Sequence, residues 1–300
     1  EHALRYLKQQ SGRSVVVKAN GLAAGKGVTV AHTAAEAEEA LNAFMVDGIF
    51  GAAGEKVVIE EWLRGEELSV LAITDGKELI FLPSAQDHKA VGEGDWGPNT
   101  GGMGAYSPAP LYTPVLARQV EEKVFRPLLA GLQSLGIDYR GIIYAGLMVE
   151  EGEFKVLEFN ARFGDPETQA ILPRLRSDLL PLLLAAADGD LSGLKAEWSD
   201  EAAICVVLAS GGYPGQYETG YPISGLDHCA PEKLAVFHAG TTFSHGNVVT
   251  AGGRVLGVTA WATNLSAAAE YAYQAVRKIQ FQDSYYRRDI AYRALGRSEL

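Results

Sequence analysis

Two runs rich in β-branched residues, Val15, Val16 and Val17 on one side and Val28, Thr29 and Val30 on the other, enclose a loop of glycine, alanine and lysine. Such runs favour strands, and a loop this short joins them as a hairpin. Gly21, Gly25 and Gly27 can take positive φ without a Cβ clash, and Ala23 and Ala24 keep the backbone open. Several N–H groups can therefore point at one anion, and Lys26 adds a positive charge at the tip. The sequence expects a lid that is mobile without a ligand, because the loop has almost no apolar side chain to bury.

The rival motif for such a loop is G-x-x-x-x-G-K-[ST]. Asn20 stands where its first glycine belongs, and Gly27 where Ser or Thr should hold magnesium. The segment after Gly27 alternates as a strand, whereas a P-loop must open a helix facing the phosphates. A hairpin over a nucleotide fits the residues better.

Three hundred residues suggest about two domains, and 47% hydrophobic residues are ample for cores. The formal charge of −11 argues against a nucleic-acid or anionic-membrane surface, since both favour a basic face. Cys205 and Cys229 show no metal spacing and no disulfide framework, which suits a reducing, cytoplasmic setting. No apolar run approaches the roughly 20 residues of a membrane helix.

Along the chain, a helix over 1–11, the hairpin, a helix from Thr33 to about Val46 and a strand over 57–63 read as a small α+β lobe, residues 1–64. A hinge is expected near Gly65, followed by strands over 68–73 and 78–83. Residues 84–114 read as a long irregular stretch, more often functional than idle at that length. A helix over 115–135, strands over 141–149 and 155–159 and a helix over 177–187 complete a second region, 65–202. The third, 203–300, reads as mostly β: strands over 204–209, 235–239, 247–250 and 254–260, then a helix over 265–280.

The strongest chemical signal after the loop lies at 155–168. Period-two geometry puts Val156, Glu158, Asn160 and Arg162 on one face and Leu157, Phe159 and Ala161 on the other. A carboxylate and an amide oxygen suit Mg²⁺ or Mn²⁺ bridging phosphates, and Arg162 can steady a phosphoryl group or an oxyanion. The six histidines form no ligand cluster, and no Ser or Cys sits in a nucleophile context.

Lys18 with the 21–27 loop, the Glu60, Glu61, Leu63 and Glu67 segment, and the Glu158, Asn160 and Arg162 row follow the order and spacing of the ATP-grasp ligases. Within that superfamily, residues 20–27, 86–89, 97–110, 159–168 and 210–215 closely resemble the phosphoribosylamine–glycine ligases, a family of purine synthesis. The likeness spans essentially the whole chain. It implies an ATP-grasp fold of two α+β lobes gripping ATP, followed by a small, mostly β carboxy-terminal domain. It also implies an amino-terminal lobe ahead of Glu1 that is not in this sequence. Asn20 replaces an expected aspartate, and Gly146 stands where many relatives of this fold carry a second metal-binding acid.

Residue by residue, the resemblance places Lys18 on the α-phosphate side, with Gly21, Gly25, Lys26 and Gly27 over the β and γ groups. Glu60, Glu61 and Leu63 would meet the adenine edge, and Glu67 the ribose hydroxyls. Lys89 would reach the γ-phosphate. Asp87, Asn99, Thr100, Gly101, Gly102, Met103, Gly104, Arg162, Gly164 and Asp165 would face glycine and 5-phosphoribosylamine, while Glu158 and Asn160 hold Mg²⁺ or Mn²⁺. Arg162, Lys89 and Lys26 would act in catalysis, with other purine-pathway enzymes as candidate partners. Another ATP-grasp carboxylate–amine ligase and a non-catalytic nucleotide-binding module are the competing readings.

Overall fold

The computed structural model describes residues 1–10, 12–23, 27–228 and 232–297. Contacts divide the chain into two compact units, one of Glu1–Arg64 with Asn99–Gly101, the other of Gly65–Pro98 with Gly102–Leu300.

In the first unit α1 (His2–Gln9) and α2 (Ala34–Met45) cover a three-stranded antiparallel sheet. Its order is β2 (Val28–Ala31), β1 (Val15–Ala19), β3 (Val57–Glu61). Val15 and Val17 bury one face of β1 against Leu7, Ala37, Leu41 and Phe44. Helix α2 starts where its first free N–H groups find acceptors: the Thr33 hydroxyl accepts from Glu36 N–H at 3.2 Å, and the Glu36 carboxylate accepts from His32 N–H at 2.7 Å. The β1–β2 pair, in register from Val15 with Ala31 to Lys18 with Val28, forms the hairpin expected from the valine runs.

The second unit holds two larger sheets. The first runs β5 (Leu79–Phe81), β4 (Glu66–Thr74), β8 (Gly141–Glu150), β9 (Glu153–Asn160), all antiparallel. One face packs on α3 (Pro114–Val120) and α4 (Arg126–Ser134), joined by a π-helical turn, Glu121–Phe125, where one continuous helix was expected. Leu182 and Ala186 of α6 (Leu179–Asp188) join Leu71, Ile73 and Tyr144 on the other face.

The second sheet corrects the reading of 84–114 as structureless. Its order is β11 (Leu234–His238), β14 (Arg254–Ala262), β10 (Ala202–Ala209), β7 (Gly104–Ser107), β6 (Gln86–Asp87), so two strands come from inside that stretch. They escaped notice because each is too short to show a period. Helix α7 (Leu265–Val276), rich in alanine, packs on β10 and β14, and α5 (Glu167–Ile171) packs on β7, β10 and β14. A separate hairpin, β12 (Thr241–Ser244) with β13 (Asn247–Thr250), and α8 (Tyr292–Arg297) complete the unit.

The segment after β6 is tied down by Arg287, whose side chain is 0% exposed. It bonds Asp95 at 2.8 Å, Asp289 at 2.7 Å and the Ala90 carbonyl at 3.0 Å. Burial alone would raise the Asp95 carboxyl, but hydrogen bonds from Tyr292 and Arg287 outweigh it and hold it at about 2. The folded pKa lies below the unfolded one, about 3.9, so this stabilisation is complete above that value and fades as pH falls through the folded one. Arg287→Ala, which leaves two acids beside a buried gap, is expected to cost about 3–5 kcal/mol in urea unfolding. Asp95→Asn should flatten the loss of stability between about pH 4 and 2; an unchanged acid limb would show that the pair contributes nothing there.

Candidate active site

In the first unit, strands β1 and β3 place Lys18 beside Glu60, 2.5 Å apart. The ladder stops at Glu61, so the backbone groups of Trp62 and Leu63 lie beyond it. Trp62 is fixed there by His32, edge-on with centroids 5.2 Å apart, and by the Arg64 guanidinium 5.4 Å above its ring. A half-buried strand end of this kind can present N–H and C=O groups to a planar ligand. Gly25 and Lys26 lie outside the described residues, as does Ala24. Gly21 and Gly27 are described, and neither takes the positive φ expected. They are glycine because the chain crowds them: a Cβ on Gly21 would lie 2.6 Å from Ala53 Cα, and one on Gly27 would lie 2.6 Å from the Ala23 Cβ. Of the expected substrate loop, Asn99, Thr100 and Gly101 group with this unit.

The second unit gathers a denser set. Lys89 lies 2.6 Å from Glu67 of β4. Burial disfavours its charge, but Glu67, then Asp87 and more weakly Glu158, outweigh burial and raise its pKa. Asp87, on β6, is buried, and its Oδ1 meets no hydrogen-bond partner among the described residues. Burial first and the Glu167 carboxylate second push its carboxyl well above the usual range, against the pull of Lys89. His88 is held neutral, down to about 3, by burial and by Arg287 and Arg293. Its Nε2 accepts from the Ala291 N–H at 3.3 Å, so it is a structural residue.

Glu158, Asn160 and Arg162 stand in a hydrogen-bonded row: the Asn160 amide donates to Glu158 at 3.2 Å, and Arg162 donates to the Asn160 carbonyl oxygen at 3.3 Å. The row matches the expectation, but its face does not extend back to Val156. A β-bulge pairs Glu158 with Gly146 and Val156 with Leu147, with Leu157 as the extra residue of the bulged strand. Cross-strand partners share a face, so Val156 joins the α3–α4 side while Glu158 and Asn160 share the Tyr144 side. Hard oxygens here fit Mg²⁺, which uses one or two protein ligands and completes its shell with water and phosphate. Among the described residues no group of three metal-binding side chains exists. With its Nδ2 now turned to Glu158, Asn160 would bind a cation beside that carboxylate by flipping its amide.

Glu167, Tyr144 and Ser69 are site residues that the sequence reading missed. The Glu167 carboxylate is buried and accepts from Tyr144 at 2.5 Å and Ser69 at 3.1 Å. Its other oxygen lies 2.5 Å from where a Gly164 Cβ would sit, which explains that glycine. The available signal was Glu167 itself, an acid two residues past Asp165 in a motif whose roles were assigned only as far as Asp165. Arg254 was missed as well; it bonds Asp165 at 3.2 Å. Met103 is wholly buried in the core, so only its backbone can serve a ligand.

The fold and the row of hard oxygens define an ATP-grasp protein. The structure aligns with a biotin carboxylase–β,γ-ATP complex from Campylobacter jejuni at a TM-score of 0.70 and 13% identity, over 95% of this chain and 62% of that one, a likeness of fold alone. Residues 1–168 match the phosphoribosylglycinamide synthetase ATP-grasp (A) domain, and 203–293 match the C domain of the same synthetase. A phosphoribosylamine–glycine ligase of Allochromatium vinosum is 53% identical over 298 residues, 99% of this chain and 69% of that protein. The crystal structure of a phosphoribosylamine–glycine ligase from Thermotoga maritima superposes with a TM-score of 0.86 at 35% identity, covering 96% of this chain and 71% of that one. The chain belongs to the phosphoribosylglycinamide synthetase family of ATP-dependent ligases. It spans between 57% and 70% of the length of the curated relatives it matches.

Gly102 sits at φ +112°, where a Cβ would lie 2.4 Å from Pro166 and 2.7 Å from Asp87 Oδ1. Gly102→Ala is therefore expected to cost on the order of 2 kcal/mol in denaturant unfolding, from backbone strain and the displaced neighbours together. A loss under about 0.5 kcal/mol would mean that the loop relaxes freely.

Proposed function

We infer that this chain joins glycine to 5-phosphoribosylamine at the expense of ATP, giving glycinamide ribonucleotide, ADP and phosphate. Family membership supports the reaction, and the observation that carries its assignment to residues is the Glu158, Asn160 and Arg162 row with Lys89 electrostatically coupled to it. A glycine carboxylate oxygen attacks the γ-phosphorus and ADP leaves. The amine of phosphoribosylamine then attacks the acyl carbon of glycyl phosphate, phosphate leaves, and the new amide sheds a proton. No nucleophilic side chain is required; the chain supplies position and charge.

In this reading Lys18 faces the α-phosphate, and Gly21, Gly25, Lys26 and Gly27 cover the β and γ groups. Glu60, Glu61 and Leu63 take the adenine edge and Glu67 the ribose. Lys89 meets the γ-phosphate. Arg162 steadies the acyl phosphate, with Asp87, Gly164, Asp165 and the backbone of residues 99–104 toward the two other substrates. Glu158 and Asn160 hold Mg²⁺ or Mn²⁺, which when bound neutralises phosphate charge. The setting is cytoplasmic, and other purine-pathway enzymes are its candidate partners. Among the described residues no helix is long and apolar enough to cross a membrane.

ADP release that requires both glycine and phosphoribosylamine is the direct test; release with neither, or with another carboxylate alone, defeats the reading. The division of roles is tested by rate against Mg²⁺ concentration. Glu158→Ala should move the curve to higher metal, whereas Arg162→Ala should leave its midpoint in place and lower turnover by about 10²-fold. Equal shifts in the two variants would refute the division. Since Glu67 also holds Lys89, Glu67→Gln should weaken ATP more than 2′-deoxy-ATP, by about 1.5–3 kcal/mol for a charged hydrogen bond. Equal losses would leave Glu67 as the partner of Lys89 alone.

A further inference from the structure

Strand β14 begins with a residue whose direction depends on one irregularity. Val207 pairs with Gly257 and Leu208 with Leu256, but Ala209 pairs with Arg254, so Val255 is bulged out. The two faces of this sheet differ. Cys205 clusters with Ala105 and with Ala170 of α5, and a Cβ on Gly257 would meet Cys205 Sγ at 3.1 Å, so odd positions from 257 to 259 share the α5 side. Leu256, Val258 and Ala260 lie on the opposite side, against α7. In an unbroken strand Arg254 would share the face of Leu256 and enter that alanine-lined core. The bulge transfers it to the α5 face. Just ahead of it the backbone packs closely on the Tyr213 ring, where a Cβ on Gly253 would lie 2.2 Å from a ring carbon.

On that face the guanidinium reaches two segments far apart in sequence. One terminal nitrogen donates to the Asp165 carbonyl at 2.9 Å and, at 3.4 Å, to the Gly102 carbonyl. The other donates to the Asp165 carboxylate at 3.2 Å. Its side chain is 21% exposed. We propose that Arg254 is a positioning residue that holds the Gly102 segment and the Arg162–Asp165 turn against each other, so that a strand of the C domain fixes the geometry of the acyl-transfer site. The contacts stand by themselves; what the two segments do rests on the ligase reading above. A guanidinium suits the task because its rigid fork holds its donors in one plane, one nitrogen bridging the two carbonyls while the other meets the Asp165 carboxylate.

The test uses the full protein. Arg254→Ala is expected to lower turnover at saturating ATP by about 10²-fold, the scale for a small misplacement of reacting groups, while KM for ATP stays within about twofold. Arg254→Lys should stay low, and millimolar guanidinium should restore part of the alanine variant's rate. In hydrogen exchange, the amides of 102–104 and 163–168 should exchange faster in Arg254→Ala, with those of β4 and β8 unchanged. Wild-type turnover in either variant, a matching rise in KM for ATP, no response to guanidinium, or unchanged exchange in those two segments would overturn the proposal. Absence of glycine-dependent turnover in the wild type would instead defeat the ligase reading, and the exchange experiment would still decide the role of Arg254.

Discussion

The balance of charge around Lys89 governs the second unit. Glu67 pairs with it directly, Asp87 and Glu158 act on it through space, and Glu167 adds a fourth carboxylate near Asp87. Against these acids stand Lys89, Arg162 and Arg254. In the proposed reading, a divalent cation held by Glu158 and Asn160 would add positive charge beside these acids, so nucleotide and metal would favour each other's binding. Burial disfavours the charge of Lys89, yet the lysine keeps its proton because the Glu67 carboxylate beside it, helped by Asp87 and Glu158, outweighs that cost.

Loops that carry such groups need support from outside themselves, and three arginines give it, Arg174 and Arg287 buried and Arg254 partly exposed. Arg174 donates to the Ser107 hydroxyl at 2.7 Å and to carbonyls of Ser199 and Glu201, tying the end of β7 to the start of β10. Arg287 ties the segment beyond Lys89 to the chain near Asp289. Arg254 ties Gly102 to Asp165. Each guanidinium satisfies backbone or carboxylate acceptors that strands and helices leave open, which lets irregular backbone be buried without unpaired carbonyls. The C domain is therefore part of the scaffold of the site, and its strands β10 and β14 share one sheet with β6 and β7 from the ATP-grasp region.

Local patterns were legible in the sequence where a local cause decides them. The valine runs gave the β1–β2 hairpin, Thr33 marked the start of α2, and the alternation of β9 put Glu158, Asn160 and Arg162 in one row. What escaped was decided by distant partners. The bulges at Leu157 and Val255 change which face a side chain occupies, yet nothing in a period-two pattern marks the residue at which the count slips. Strands β6 and β7, two and four residues long, exist because β10 offers an edge to β7 and β7 in turn offers one to β6. Glu167 carries no local signal of its own; burial beside Tyr144 and Ser69 gives it its significance.

The glycines show the same limit from the opposite side. A glycine-rich loop invites the argument that freedom at φ is what the residue provides, and Gly102, at φ +112°, does need it. Gly21, Gly27 and Gly164 do not: none has φ in the left-handed range, and a Cβ on each would meet a neighbour at 2.6 Å or nearer. The constraint is close approach. Two of those neighbours are alanines, Ala53 and Ala23, so the same part of the chain is kept thin on both sides of the contact. For Gly164 the neighbour is Glu167, and the missing methyl group leaves room for a carboxylate oxygen beside the turn that carries Arg162. Small residues here are selected by the packing of one backbone segment on another, and it is this packing that fixes where the charged groups stand.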